Sequence, residues 1–290
     1  MRSKLFVPGV RPELFPKALS SQADAISIDL EDSVPEDLKG EARAKATEFL
    51  ESAAVRSTAK LIIVRVNALA TPHFDADLLA CVRTGLAMLN LPKAESAADV
   101  RAAVSAIERA EATHQVARPV GILATIETPK ALRCAVEIAT ADPRVVGLQL
   151  GFGDLFEPLG IARRAAAAVH AAMFAMRMAA GEAGVFAYDG AFTNIQDADG
   201  YRAEAEMARS LGYLGKSCIH PSQIALANQV FQPSEEDIAF SLRVVAEARK
   251  ADGRKQGAFV VDGRMIDAPF IRRAEAIVAI ARNLGIASGD

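Results

Sequence analysis

The chain has 290 residues, enough for one large α/β barrel or two ordinary domains at about 150 residues each. Apolar residues make up 51% and charged residues 24%, which excludes a mainly disordered chain. The formal charge of −3 argues against a nucleic-acid partner, which would call for a basic surface.

The opening MRSKLFVPGV carries an apolar patch too short for a signal peptide, ended by Pro8 and Gly9. Short β-branched runs then alternate with longer helical stretches. The runs fall at 4–9, 25–32, 61–67, 88–93, 119–128, 145–154, 185–192 and 215–221. Each spacing leaves room for a strand and a crossover helix. Eight such units predict a (β/α)8 TIM barrel over residues 1–233. A doubly wound sheet is the alternative, weakened because no GxGxxG follows the first strand.

Local signals mark the helices between these runs. Pro35 suits a first turn ahead of an Ala/Lys/Glu-rich stretch. Ser96 and Asp99 resemble a capping box, and Thr128-Pro129 a cap with a first-turn proline. The longest apolar run, 165–176, contains His170, is too short for a ~20-residue membrane span and reads as a buried helix. No membrane partner is expected. Met173, Met176 and Met178 read as core filler. Cys81, Cys134 and Cys218 lie far apart without a CxxC, the pattern of reduced thiols in a cytoplasmic protein.

Beyond Pro233 the pattern changes. Residues 234–250 read as a helix capped by Ser234, 257–267 as a hairpin turning at Asp262-Gly263, and Pro269 onward as a last helix ending near Gly285. Residues 234–290 therefore form a C-terminal helical extension: helix, lid-like segment, helix. It has few large apolar residues for a core of its own.

Barrel enzymes place their chemistry at the carboxyl ends of the strands. Here those ends carry Asp29, Glu31 and Asp32, then Arg65 and Asn67, Lys93, Glu127, Asp154, Asp189 and His220, while the strand interiors read as apolar. Convergent carboxylates with a single histidine favour a hard divalent cation, Mg²⁺ with Mn²⁺ as the alternative, over zinc. Glu127 and Asp154 end neighbouring strands and suit a shared ion. Arg65 offers a planar fork for a carboxylate or an enolate oxygen, or else for a structural ion pair with Asp29 or Glu31. Gly215-Lys216-Ser217 resembles the end of a P-loop, but Ser210 stands where its first glycine belongs and the lysine falls in a strand. No GxSxG and no HExxH occurs. Arg2 and Lys4 are the only candidates for a nucleotide phosphate.

Eight motifs occur in order: RSKLFVPG from Arg2, IDLEDSV from Ile28, VRVN from Val64, LPK from Leu91, IET from Ile126, GFGD from Gly151, GKSCIHP from Gly215 and DGRMID from Asp262. In this the chain resembles the citrate lyase β-subunit-like family of the HpcH/HpaI aldolase superfamily, which includes malyl-CoA and citramalyl-CoA lyases. The resemblance implies a Mg²⁺-dependent carbon–carbon lyase acting on a β-hydroxy acyl thioester, with a 2-oxo acid and an acyl-CoA or acyl-carrier as partners. The alternative is a metal-dependent aldolase for free 2-oxo acids without CoA. By matching motif, Glu127 and Asp154 would bind the metal, and Arg65 and Glu127 the substrate. Asp29, Glu31 and Asp32 would be supporting acids. Asp267 would act as acid or base, delivered by a neighbouring subunit of a homo-oligomer, a trimer or hexamer. On the residues alone, Asp267 is equally well a cap for the last helix. The segment after Asp154 departs from the family pattern at Phe156 and Pro158.

Overall fold

The computed structural model describes residues 1–253 and 257–286. Eight parallel strands, β1 (Ser3–Pro8), β2 (Ala25–Asp29), β3 (Leu61–Arg65), β4 (Met88–Leu91), β5 (Gly121–Ile126), β6 (Val145–Leu150), β7 (Phe186–Tyr188) and β8 (Lys216–Cys218), form one sheet. Its order is β7-β6-β5-β4-β3-β2-β1-β8. A parallel bridge between Asp189 and Lys216 joins its two edges, so the sheet closes into a barrel. Closure removes the unpaired edges that an open sheet leaves.

Helices fill the connections: α1 (Phe15–Ser20), α2 (Lys39–Leu50), α3 (Ala53–Ser57), α4 (Phe74–Cys81), α5 (Ala97–His114), α6 (Pro129–Arg133), α7 (Ala135–Ala139), α8 (Phe152–Phe156), α9 (Ala166–Glu182), α10 (Ala198–Ser210) and α11 (Ser222–Phe231). The caps form where the sequence marks them. Ser96 Oγ accepts the Asp99 amide at 3.2 Å and Thr128 Oγ1 the Ala131 amide at 3.1 Å. The Asp99 carboxylate, however, accepts from Glu95 rather than from the cap residue itself. Helix α9 is amphipathic rather than buried all round. Met173 and Met176 are in the core, but Met178 and Phe174 are more than half exposed, which corrects the core reading of Met178.

Alternation along the strands sends Ile26, Ile28, Ile62, Val64, Leu89, Ile122 and Leu148 into the buried core that the helices cover. The inward positions are not apolar, contrary to expectation. Lys4 Nζ donates to Asn90 Oδ1 at 3.0 Å and to Gln149 Oε1, and Asn90 Nδ2 donates to Thr125 Oγ1 at 2.6 Å. β1, β4 and β6 are not neighbours, so these side chains can meet only across the barrel interior. Lys4 is fully buried there, away from any solvent-borne phosphate, and Arg2 is paired with Asp24.

The chain divides into two compact units, Met1–Phe231 and Gln232–Asp290. The second contains α12 (Glu235–Gly253), the antiparallel pair β9 (Phe259–Val261) and β10 (Arg264–Ile266), and α13 (Ala268–Asn283). Ser234 Oγ accepts the Asp237 amide at 3.0 Å at the start of α12. Asp262 and Gly263 both have positive φ, 49° and 75°, the conformation of a two-residue type I′ hairpin. Val244, Val261, Ile266 and Ala274, flanked by Phe240 and Ile271, give this unit a small core of its own.

Candidate active site

A cavity of about 480 Å³ opens at the carboxyl rim of the barrel, lined by Asp29, Asp32, Arg65, Glu127, Asp154 and Arg163 among others. The strands place these groups. Asp29 and Arg65 are register partners at the ends of β2 and β3, so their side chains lie side by side.

Arg65 is clamped. Its Nε donates to Asp29 Oδ1 at 2.7 Å and its Nη2 to Asp29 Oδ2 at 2.8 Å, a bidentate fork. Its Nη1 donates to Asp32 Oδ2 at 2.9 Å and lies 3.0 Å from Glu31 Oε2. The ring of Phe6 lies 5.1 Å from the guanidinium. Asp29 also accepts the amides of Glu31 and Ser33, which folds the loop after β2 around it. Burial raises the Asp29 carboxyl, but the hydrogen bonds and charge of Arg65 outweigh it and hold the group below its ordinary value. The ion-pair reading of Arg65 therefore holds, and the paired arginine also lines the cavity.

Glu127, at the end of β5, is almost fully buried. Its Oε1 accepts the Lys93 amide at 2.7 Å. Burial, then the charges of Glu31 and Asp154, push its carboxyl up to about 8, with the Lys93 amide and Arg65 opposing. Gly151 makes room for it: a Cβ there would stand 2.5 Å from Glu127 Oε2. Asp154, in the first turn of α8, is exposed and makes no hydrogen bond or ion pair among the described residues. Two carboxylates, one partly engaged and one unengaged, match what Mg²⁺ needs from a protein, since water and substrate oxygens complete its octahedron. Among the described residues no cluster of three or more His, Cys, Asp or Glu side chains is arranged to hold a metal.

Glu31 does not line this cavity but a neighbouring one that also contains Lys93 and Asp32. Its oxygens lie 3.0 Å from Arg65 and 3.2 Å from Lys93 without hydrogen-bond geometry. Burial raises its carboxyl, with Arg65 opposing. Asp189, the acid at the end of β7, is consumed by Lys216 at 2.6 Å and is not part of the cavity. His220 is exposed and bonds Ser222 Oγ at 2.8 Å.

The sequence marks Lys93 only as a strand-end group and does not single out Arg163, which lines the cavity. Lys93 has a positive φ of 54°, rare for a non-glycine residue and typical of functional turns, and this conformation aims its amide at Glu127. The LPK motif placed Lys93 at a strand end but could not show that its backbone, rather than its ammonium, meets Glu127. Asp267 belongs to the second unit, at the N-cap position of α13, where its side chain makes no capping bond. Its Oδ1 is buried, with no hydrogen-bond partner among the described residues.

A closed (β/α)8 barrel with acids and a clamped arginine at its carboxyl rim is the arrangement in which barrel enzymes place their active sites. Residues 2–221 match the model of the HpcH/HpaI aldolase/citrate lyase family. Over 301 residues the chain is 35% identical to the L-malyl-CoA/beta-methylmalyl-CoA lyase of Cereibacter sphaeroides, covering 96% of this chain and 93% of that one. It is 34% identical to the citrate lyase subunit beta of Leuconostoc mesenteroides subsp. cremoris, covering 97% and 93%. The crystal structure of CitE from Mycobacterium tuberculosis, in complex with magnesium, acetoacetate and coenzyme A, superposes with a TM-score of 0.75. It is 33% identical, over 97% of this chain and 100% of that one. The chain belongs to the HpcH/HpaI aldolase/citrate lyase family and is a lyase.

Proposed function

We propose that the protein is a Mg²⁺-dependent lyase that breaks or forms a carbon–carbon bond in a β-hydroxy acyl-CoA thioester of the malyl, citramalyl or citryl type. The observation that carries this reading is the meeting of buried Glu127, unengaged Asp154 and clamped Arg65 in one cavity. The relatives favour CoA thioesters over free 2-oxo acids, and the magnesium-bound relative supports Mg²⁺; Mn²⁺ would suit the same oxygen donors.

Glu127 and Asp154 would hold the ion, with Glu127 also against the substrate. Mg²⁺ bound there would supply a Lewis acid for the substrate's hydroxyl and carboxylate oxygens. As the carbon–carbon bond breaks, the hydroxyl loses its proton and becomes the carbonyl of a 2-oxo acid. The electron pair passes to the acyl thioester as an enolate. Arg65 stabilises the negative charge where it develops, and because Asp29 and Asp32 already hold its fork, little reorganisation is needed. The enolate then takes a proton to give the acyl thioester; in the reverse direction a base removes it. Asp267 suits that role by family resemblance, and a carboxyl that makes no cap, with Oδ1 lacking a hydrogen bond among the described residues, supports it. By the same resemblance it would be delivered from a neighbouring subunit of a homo-oligomer, a trimer or hexamer. Three free thiols support a cytoplasmic setting, and no helix among the described residues is long and apolar enough to cross a membrane.

The test is a panel of malyl-, methylmalyl-, citramalyl- and citryl-CoA with Mg²⁺, read by mass spectrometry. Cleavage of at least one thioester, abolished by EDTA and restored by Mg²⁺, is the expected result. Full turnover after exhaustive EDTA treatment, or cleavage confined to free hydroxy-oxo acids, would overturn the reading.

A further inference from the structure

Four charged groups behind the cavity form a chain that the mechanism above does not use. Lys216 Nζ, fully buried in β8, donates to Asp189 Oδ2 and to Glu204 Oε1, each at 2.6 Å, and to the Gly190 carbonyl at 3.1 Å. Glu204, on α10, accepts from Arg163 Nη1 at 2.5 Å and Nη2 at 2.7 Å. Two cations and two carboxylates balance, as buried charges must. Arg163 reaches the cavity wall from the segment before α9, and Nη2 also meets the Ala191 carbonyl at 3.3 Å.

With its fork occupied, Arg163 lays the face of its guanidinium 4.3 Å from the ring of Phe152, with Phe192 at 5.8 Å. Phe152 is the first residue of α8 and packs edge-on against Phe156 at its last, with centroids 5.2 Å apart. α8 has five residues, too few to be stable alone. Among the described residues Asp154 makes no bond of its own in this turn, so the placement of the α8 backbone, rather than a side-chain partner, governs where its carboxylate can reach. A guanidinium over an aromatic face contributes about 0.5–2 kcal/mol depending on desolvation, and here the cation is itself anchored to the barrel wall.

We propose that Arg163 is a positioning residue for Asp154: held by Glu204 and Lys216, it pins Phe152 and thereby sets the metal-binding turn. This rests on the reading that Asp154 binds the ion. An arginine that bound substrate directly would show its loss in KM; one that aims a ligand carboxylate shows it in metal affinity.

The test is Mg²⁺ binding to the full-length protein by calorimetry, alongside thermal unfolding, for Arg163→Ala, Arg163→Lys, Glu204→Gln, the Arg163→Ala/Glu204→Gln double variant, and Asp154→Asn. Arg163→Ala is expected to weaken Mg²⁺ about tenfold, the scale of a lost outer-shell partner. Arg163→Lys should not rescue, because lysine lacks the bidentate fork. Glu204→Gln should weaken the ion less, and the double variant should be no worse than Arg163→Ala alone, since Glu204 acts through Arg163. Normal Mg²⁺ affinity in folded Arg163→Lys and Glu204→Gln, with Asp154→Asn defective, overturns the Arg163 inference alone. Normal affinity in Asp154→Asn overturns the assignment of Asp154 and with it this proposal.

Discussion

Glu127 shows how one side chain couples protons to metal. Its carboxyl is pushed up to about 8 by burial and by the charges of Glu31 and Asp154, so in the metal-free protein it holds a proton at neutral pH. Metal binding must displace that proton. Mg²⁺ affinity is therefore expected to rise about tenfold per pH unit below pH 8 and to level off above it. Calorimetry in buffers of different ionisation enthalpy should show proton release at pH 7. The stability of the metal-free protein moves the other way. The unfolded-chain carboxyl ionises at its ordinary value of 4.5, the folded one only at about 8, so the folded state holds the extra proton between them. Stability falls as pH rises through that window, and Glu127→Gln should remove this part of the slope in urea titrations. A pH-independent Mg²⁺ affinity between 6 and 8 would contradict both expectations. The identity of Glu127 was readable from its place at a strand end. Its proton was not, because burial and neighbouring charge arise only when Glu31, Lys93 and Asp154 come together from three other loops.

Short elements, not long ones, shape the site. Local rules were enough where side chain and backbone lie within a few residues: the caps at Ser96, Thr128 and Ser234 form as marked, and the Asp262-Gly263 hairpin turns as its dipeptide demands. They did not suffice for the β6–α8 junction. The sequence shows Gly151 only as the start of the GFGD motif, whereas the contact its missing side chain allows is with Glu127. Gly151→Ala would put a Cβ 2.5 Å from Glu127 Oε2 and 2.6 Å from its Cβ. Because Glu127 Cβ is fixed by the β5 backbone and Thr125 Cγ2 would lie 3.1 Å away, the end of β5 must shift. The variant is expected to bind Mg²⁺ about 10- to 100-fold more weakly, with thermal unfolding checking that the fold is kept. Gly153→Ala, which meets nothing within 4 Å, is the control and should bind normally. Equal affinity in the two alanine variants would show that Glu127 moves aside at no cost to the ion.

At the scale of the whole molecule, one acid remains outside the barrel. Asp267 belongs to a unit with its own small core, and its carboxyl does not cap α13, its Oδ1 having no hydrogen-bond partner among the described residues. If neighbouring subunits share it, Asp267→Asn and Glu127→Gln homo-oligomers should each be nearly inactive. Mixing them under conditions of subunit exchange should restore part of the activity, because some sites then combine an intact Glu127 with a neighbour's intact Asp267. Confirmed exchange without recovery would mean that Asp267 serves its own chain or none.

The sequence by itself determined the barrel, because eight apolar runs at crossover spacing have few other ways to bury their faces, and it determined the rim, because strand ends are local. It determined the family through eight motifs in order. The tertiary structure alone decided which rim groups work together. Asp189 and Lys216 neutralise each other behind the wall, Arg65 is clamped by three acids, and the barrel interior holds a lysine and amides rather than aliphatic side chains. These outcomes depend on charges and hydrogen-bond partners brought together from distant parts of the chain, an energy that no window of sequence contains.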